Sequence, residues 1–205
     1  MTLTRLSKDA LASLYQTRLQ IDFPPSELKP LRAMYTLMDL GQYEPLLATQ
    51  QGYETGYAMI WLPPSRDGAL LEYFSVLPQL RSRGLGGQIL NGLTARYGQL
   101  FGEAEAPTSG DEATDSLRRR RVAFYQRNGF RLLDYQCALF GVLFSCLYRG
   151  PQQNDRVVEA LHRSVYAQYF SPAHMEQFIQ LPLRPGEIIH PAPKWLEEEH
   201  TSLIL

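Results

Sequence analysis

Long apolar runs are what this sequence most lacks. The longest, Cys137–Tyr148, is shorter than the ~20 residues that a membrane-spanning helix needs, so the sequence predicts no spanning helix. The first residues, Met1–Asp9, carry no apolar run of the signal-peptide kind, and the expectation is a cytoplasmic protein. An excess of either charge is also missing: 20 Lys and Arg against 21 Asp and Glu leave a formal net charge of −1. A generalised nucleic-acid surface needs a basic excess to release phosphate counterions, so the balance argues against one. With only Cys137 and Cys146 a disulfide framework is excluded. A single bridge between them is sterically open, but two buried thiols are the expectation in a strand-rich region. His162, His174, His190 and His200 are scattered without metal-ligand spacing, so no metal site is expected.

What is present suits a soluble globular chain: 44% hydrophobic and 20% charged residues over a length of 205, room for one domain or one domain with a small appendage. Ser7 is an N-cap for a helix from Lys8 to about Leu19, with Leu11, Leu14 and Tyr15 on one face. Ser26 can cap a second helix that ends near Gly41, its start delayed by Pro30. Short β-type runs follow at Pro45–Thr49, Gly56–Leu62 and Ala69–Leu77, an antiparallel meander. Leu85, Ile89, Leu93 and Tyr97 recur at i+4 and predict an amphipathic helix over 85–98. The reading continues with a strand at Leu100–Ala106, a helix near Asp115–Arg127, and strands at Phe130–Ala138 and Val142–Tyr148. This is an α/β class with a mixed α+β sheet. Beyond Gly150-Pro151 the expectation is a helical appendage, 151–205. It has one helix over Asp155–Tyr169 facing inward through Val157, Leu161, Val165 and Tyr169, and another capped by Ser171-Pro172. The appendage either covers the core or contacts a second subunit, as in a homodimer.

Two segments carry the chemistry. Arg81-Ser82-Arg83-Gly84-Leu85-Gly86-Gly87 joins a strand to a helix, and the free N–H groups and dipole of a helix start favour a phosphate or pyrophosphate. Glycines let the backbone approach such a ligand, and Arg81 and Arg83 add charge-assisted donors. Farther along stands Phe124-Tyr125-Gln126-Arg127-Asn128-Gly129-Phe130. The pattern Arg-x-x-Gly-x-Gly after Val76-x-Pro78 resembles the acetyl-CoA loop of the GNAT N-acetyltransferases, and the second segment is similar to that family's Tyr four residues before a Gly-Phe pair. The resemblance spans roughly residues 1–149, taken as a GNAT-like acetyltransferase domain with 151–205 as its extension. It implies an acyl-CoA N-acyltransferase fold, acetyl-CoA as cosubstrate, and a small-molecule or peptide amine as acceptor, with no membrane partner.

The same resemblance implies site residues. Tyr125 would lie near the CoA sulfur as general acid, since a phenol with a pKa of about 10 keeps its proton at neutral pH. Phe74 and Val76 would bind the pantetheine arm through their backbone, like an added strand, and the segment Arg81–Gly87 with Leu85 would hold the pyrophosphate. For the base there are three carboxylates. Glu72 shares a strand face with Leu70, Phe74 and Val76, which favours a cleft or a shifted pKa; Glu103 and Glu105 point to one side of the next strand. Glu72 comes first, acting through water. Glu27, in the loop that edges the acceptor pocket in this family, could hold a cationic amine or serve only as first-turn helix charge. Arg118–Arg121 would pair with Asp111, Glu112 and Asp115, or reach the 3′-phosphate of CoA; Arg118 also stands where the family often has an Asn. Neither motif contains a Cys, so direct transfer in a ternary complex is expected. A competing reading is a non-catalytic CoA-binding sensor or interaction module on the same fold.

Overall fold

The structure, a computed structural model, describes residues 1–25 and 27–192. The chain divides into two units: Met1–Leu62 with Glu72–Gly92, and Pro63–Leu71 with Leu93–Ala192. Among the described residues no helix is long and apolar enough to cross a membrane.

In the first unit the strands run in the order β1 (Thr2–Arg5), β2 (Tyr43–Gln50), β3 (Tyr53–Trp61) and β4 (Ala69–Val76), β4 contributing its residues from Glu72 onward. β1 pairs antiparallel with β2, and β2 with β3. β3 is buried from Thr55 to Trp61, which matches its near-continuous apolar reading and marks it as an interior strand. Gly56 lets its neighbours close in: a Cβ there would stand 2.4 Å from the Ser75 carbonyl oxygen and 3.1 Å from Ile89. The Ser7 hydroxyl caps α1 (Lys8–Leu14) by accepting from the Ala10 N–H. The helix then continues past the expected end through a π-helical turn, Tyr15–Leu19, into α2 (Gln20–Asp22). Leu11, Tyr15 and Leu19 are buried from it, together with Met34 and Leu37 of α3 (Leu31–Asp39). α3 starts later than Ser26 would place it. Pro30 is itself the N-cap, at φ −56° and ψ 138°, so the helix begins after it. Ser26 itself lies outside the described residues. β1 is absent from the sequence reading because its exposed pattern has no apolar alternation.

The second unit carries β4 from Ala69 to Leu71, β5 (Leu100–Glu105), β6 (Arg131–Leu139), β7 (Val142–Arg149) and β8 (Ile179–Leu183), in the order β4-β5-β7-β6-β8. The β4–β5 register is parallel and comprises Ala69↔Leu100, Leu70↔Phe101 and Leu71↔Gly102; the other pairings are antiparallel. Phe140 and Gly141, both at positive φ, turn β6 into β7, the dihedral signs a two-residue hairpin of primed type requires. α5 (Glu112–Arg127) begins three residues before the expected start, because the Asp111 carboxylate accepts from the Thr114 N–H as its cap.

The extension differs from its reading in two ways. α6 (Asp155–Ala167) buries Val158, His162, Val165 and Tyr166, whereas Val157 and Tyr169 are exposed. After α7 (Pro172–Phe178), capped by Ser171 as expected, the chain adds β8 to the edge of β6, so the segment is not only helical. Residues 193–205, including Glu197–Glu199, lie outside the described residues. Cys137 and Cys146 are buried free thiols.

Candidate active site

The segment after β4 has the geometry of an anion loop. Pro78–Leu80 forms a 3₁₀ turn, Ser82 and Gly84 take positive φ of 63° and 75°, and α4 (Leu85–Tyr97) begins at once. Successive N–H groups around left-handed residues at a helix start form a concave set of donors for phosphate oxygens. Arg81, Ser82, Arg83 and Gly84 are exposed, while Leu85 and Gly86 are buried in the first helical turn. Gly86 and Gly87 are therefore helical rather than part of the loop proper. The Arg81 Nε donates to the Val76 carbonyl at 3.1 Å and its guanidinium lies 4.0 Å from Asp22, so this side chain also fastens the loop to α2.

Along β4, Glu72, Phe74 and Val76 share the half-buried face and Tyr73 and Ser75 the buried one, as alternation requires. Glu72 is not isolated. Its Oε1 lies 2.7 Å from the Lys29 ammonium and its Oε2 accepts from the Tyr43 hydroxyl at 2.5 Å. The Lys29 ammonium lies 3.3 Å from the Trp61 ring centre, close enough for cation–π attraction. Burial first, and the Glu72 charge second, push the Tyr43 and Tyr73 phenols well above their usual range, so both are fixed hydroxyl donors. The Tyr73 hydroxyl donates to the Glu27 carbonyl at 2.7 Å. Glu27 sits in a turn before α3, not in a helix's first turn.

In the second unit Tyr125 is buried near the end of α5, its ring edge-on to Phe124 and Phe130. Burial pushes its phenol up to about 12, with nearby Arg121 pulling the other way. Asn128 and Phe130 N–H groups donate to the Tyr125 carbonyl, which is how the Gly129 turn anchors this residue as the chain enters β6. Glu105 is held by Arg118 and, at 2.7 Å, by Arg121. Arg119 with Glu112 follows the expected pairing and the Arg118 charge acts on Asp115; in addition α5 aims positions 118 and 121, one turn apart, at β5. Glu103 accepts from His162 Nε2 at 2.7 Å and from the Tyr166 hydroxyl at 2.7 and 2.8 Å. The structure thus gathers Glu72, Phe74, Val76, the Arg81–Gly87 loop and Glu27 in one unit, and Glu103, Glu105 and Tyr125 in the other.

The sequence reading missed Lys29, Tyr43, His162 and Tyr166. A signal for the last two was present: they fall in a helical stripe with Val158 and Val165. None marks Lys29.

Residues 42–132 match the family model described as "Acetyltransferase (GNAT) domain". Over those residues the chain resembles a GNAT acetyltransferase domain. Both motif segments lie within that match. By fold, the chain is similar to a protein of Bacteroides thetaiotaomicron assigned to the GNAT acetyltransferases, at TM-score 0.67 and 20% identity over 82% of this chain and 98% of that one. It is also similar to the ribosomal-protein-S18-alanine N-acetyltransferase of Escherichia coli, at TM-score 0.52 and 17% identity, covering 75% of this chain and 97% of that one. An aminoglycoside 6′-N-acetyltransferase complexed with coenzyme A aligns at TM-score 0.51 and 13% identity, covering 75% and 100%. No curated protein matches the chain by sequence.

Proposed function

We propose that the chain is an acetyl-CoA-dependent N-acetyltransferase that passes acetyl directly to an amine, with no covalent enzyme intermediate. The observation that carries this reading is the strand–turn–helix at β4, 78–84 and α4, with Ser82 and Gly84 left-handed, inside a GNAT family match. Those N–H groups, with Arg81 and Arg83, suit a pyrophosphate, and the backbone of Phe74 and Val76 suits a pantetheine arm. The complex of the aminoglycoside enzyme with coenzyme A supports the same class of cosubstrate.

Acetyl-CoA supplies the activated acyl group as a thioester. In the transfer a C–N bond forms, the C–S bond breaks, the amine loses a proton and the thiolate gains one. Glu72, through water, takes the proton from the amine. Tyr125 gives one to the sulfur, and burial keeps that phenol protonated throughout the neutral range. All three carboxylates are held by partners; Glu72 ranks before Glu103 and Glu105 because it shares its β4 face with Phe74 and Val76, the residues assigned to the pantetheine arm. The acceptor is a small-molecule or peptide amine, as in the S18-alanine and aminoglycoside enzymes of this fold. Glu27 is assigned to its recognition. The division at residue 150 is functional in this reading: 1–149 does the chemistry, and the extension supports it through His162 and Tyr166, which hold Glu103.

Release of CoA thiol measured over a panel of amines (polyamine, aminoglycoside, amino acid, peptide N-terminus) tests the reading. Amine-dependent release is the expected result. Acetyl-CoA binding without release on any amine would replace the enzyme with a cofactor sensor.

A further inference from the structure

Lys29 has no part in the chemistry described so far, yet it is placed with unusual care. Its side chain is 10% exposed and that of Glu72 is 11% exposed. Its backbone N–H donates to the Tyr73 hydroxyl at 2.7 Å and its carbonyl accepts from the Tyr15 hydroxyl at 3.2 Å, with Pro30 next in the chain. The ammonium is thereby directed onto Oε1 of Glu72, beneath Trp61 and 5.3 Å from the Tyr43 ring centre. Burying two charges costs nearly as much as their attraction returns, so a buried ion pair adds little stability over apolar residues of the same size. Its other consequence is geometric. Lys29 holds one carboxylate oxygen and Tyr43 the other, which stops the group from rotating and keeps a countercharge beside it.

We propose that Lys29 is a positioning residue for acetyl transfer: with Tyr43 it fixes the Glu72 carboxylate as the acceptor of the amine's proton. The proposal rests on the assignment of Glu72 as base. The titratable groups facing Glu72 are Lys29 from the segment before α3, Tyr43 from β2 and Tyr73 from β4 itself, with Tyr15 of the π-helical turn and Glu27 beyond them.

The test is kcat and KM for the wild type, Lys29→Met, Glu72→Gln and the double variant, with melting temperatures alongside. Lys29→Met should lower kcat at neutral pH by about tenfold, with KM for acetyl-CoA nearly unchanged. In the Glu72→Gln background the same substitution should change kcat by less than about twofold, because two residues acting through one step are not additive. An equal loss in both backgrounds, or a loss carried by KM with kcat unchanged, would overturn the proposal. Should Lys29→Met fail to fold, Tyr43→Phe removes the other donor and should lower kcat in the same Glu72-dependent way. A wild type that transfers no acetyl defeats the enzyme reading instead, whereas an active wild type with a fully active Glu72→Gln defeats the base assignment and this proposal with it.

Discussion

The Nε2 of His162 lies 2.7 Å from Oε1 of Glu103, tying α6 to β5 within the second unit. Burial alone would depress the imidazole's pKa; hydrogen bonds to Cys146 and to Glu103 overturn that and push it up to about 10. A raised pKa means that this contribution is complete below about 6.5, the unfolded value, and fades as pH climbs through the folded value. Melting temperature should therefore fall between about pH 7 and pH 10 more steeply in the wild type than in His162→Asn, with Cys146→Ser as a control for the thiol. Identical slopes in the wild type and His162→Asn would show that the imidazole stays neutral.

Gly84 tests the loop. A Cβ there would meet nothing within 4 Å, but φ of 75° is costly for any side chain, by about 1–2 kcal/mol. Acetyl-CoA at 100 times its Kd should stabilise the wild type by about 2.7 kcal/mol. Gly84→Ala should keep the fold and lose most of that thermal shift. A full shift in the variant would move the pyrophosphate elsewhere.

Tyr125→Phe removes a hydroxyl and keeps the ring contacts with Phe124 and Phe130. Turnover with an accepted amine should drop about 10²–10⁴-fold, with acetyl-CoA affinity changed less than about tenfold. Wild-type turnover would make Tyr125 a packing residue.

Local signals were the legible ones. The glycine run beside the i+4 stripe Leu85, Ile89 and Leu93 located α4 within a residue, and the Tyr125 motif fell at the end of a helix as read. Pairings distant in sequence were not legible. Glu72 reads as a carboxylate among apolar neighbours, and nothing near it announces that Lys29 and Tyr43 will converge on it. In α6 two apolar stripes compete one position apart, and the polar His162 disguises the one that is buried. β8 was hidden by Pro182, which suits only a sheet edge, and an edge is where it lies.

The most direct measurement follows isotope from labelled acetyl-CoA in the presence of an accepted amine, reading small-molecule or peptide product and intact protein mass together. The account predicts label in the amine, none retained on the protein, and loss of that transfer in Tyr125→Phe. Label that accumulates on the protein before any reaches the amine, or that never leaves acetyl-CoA, would contradict it.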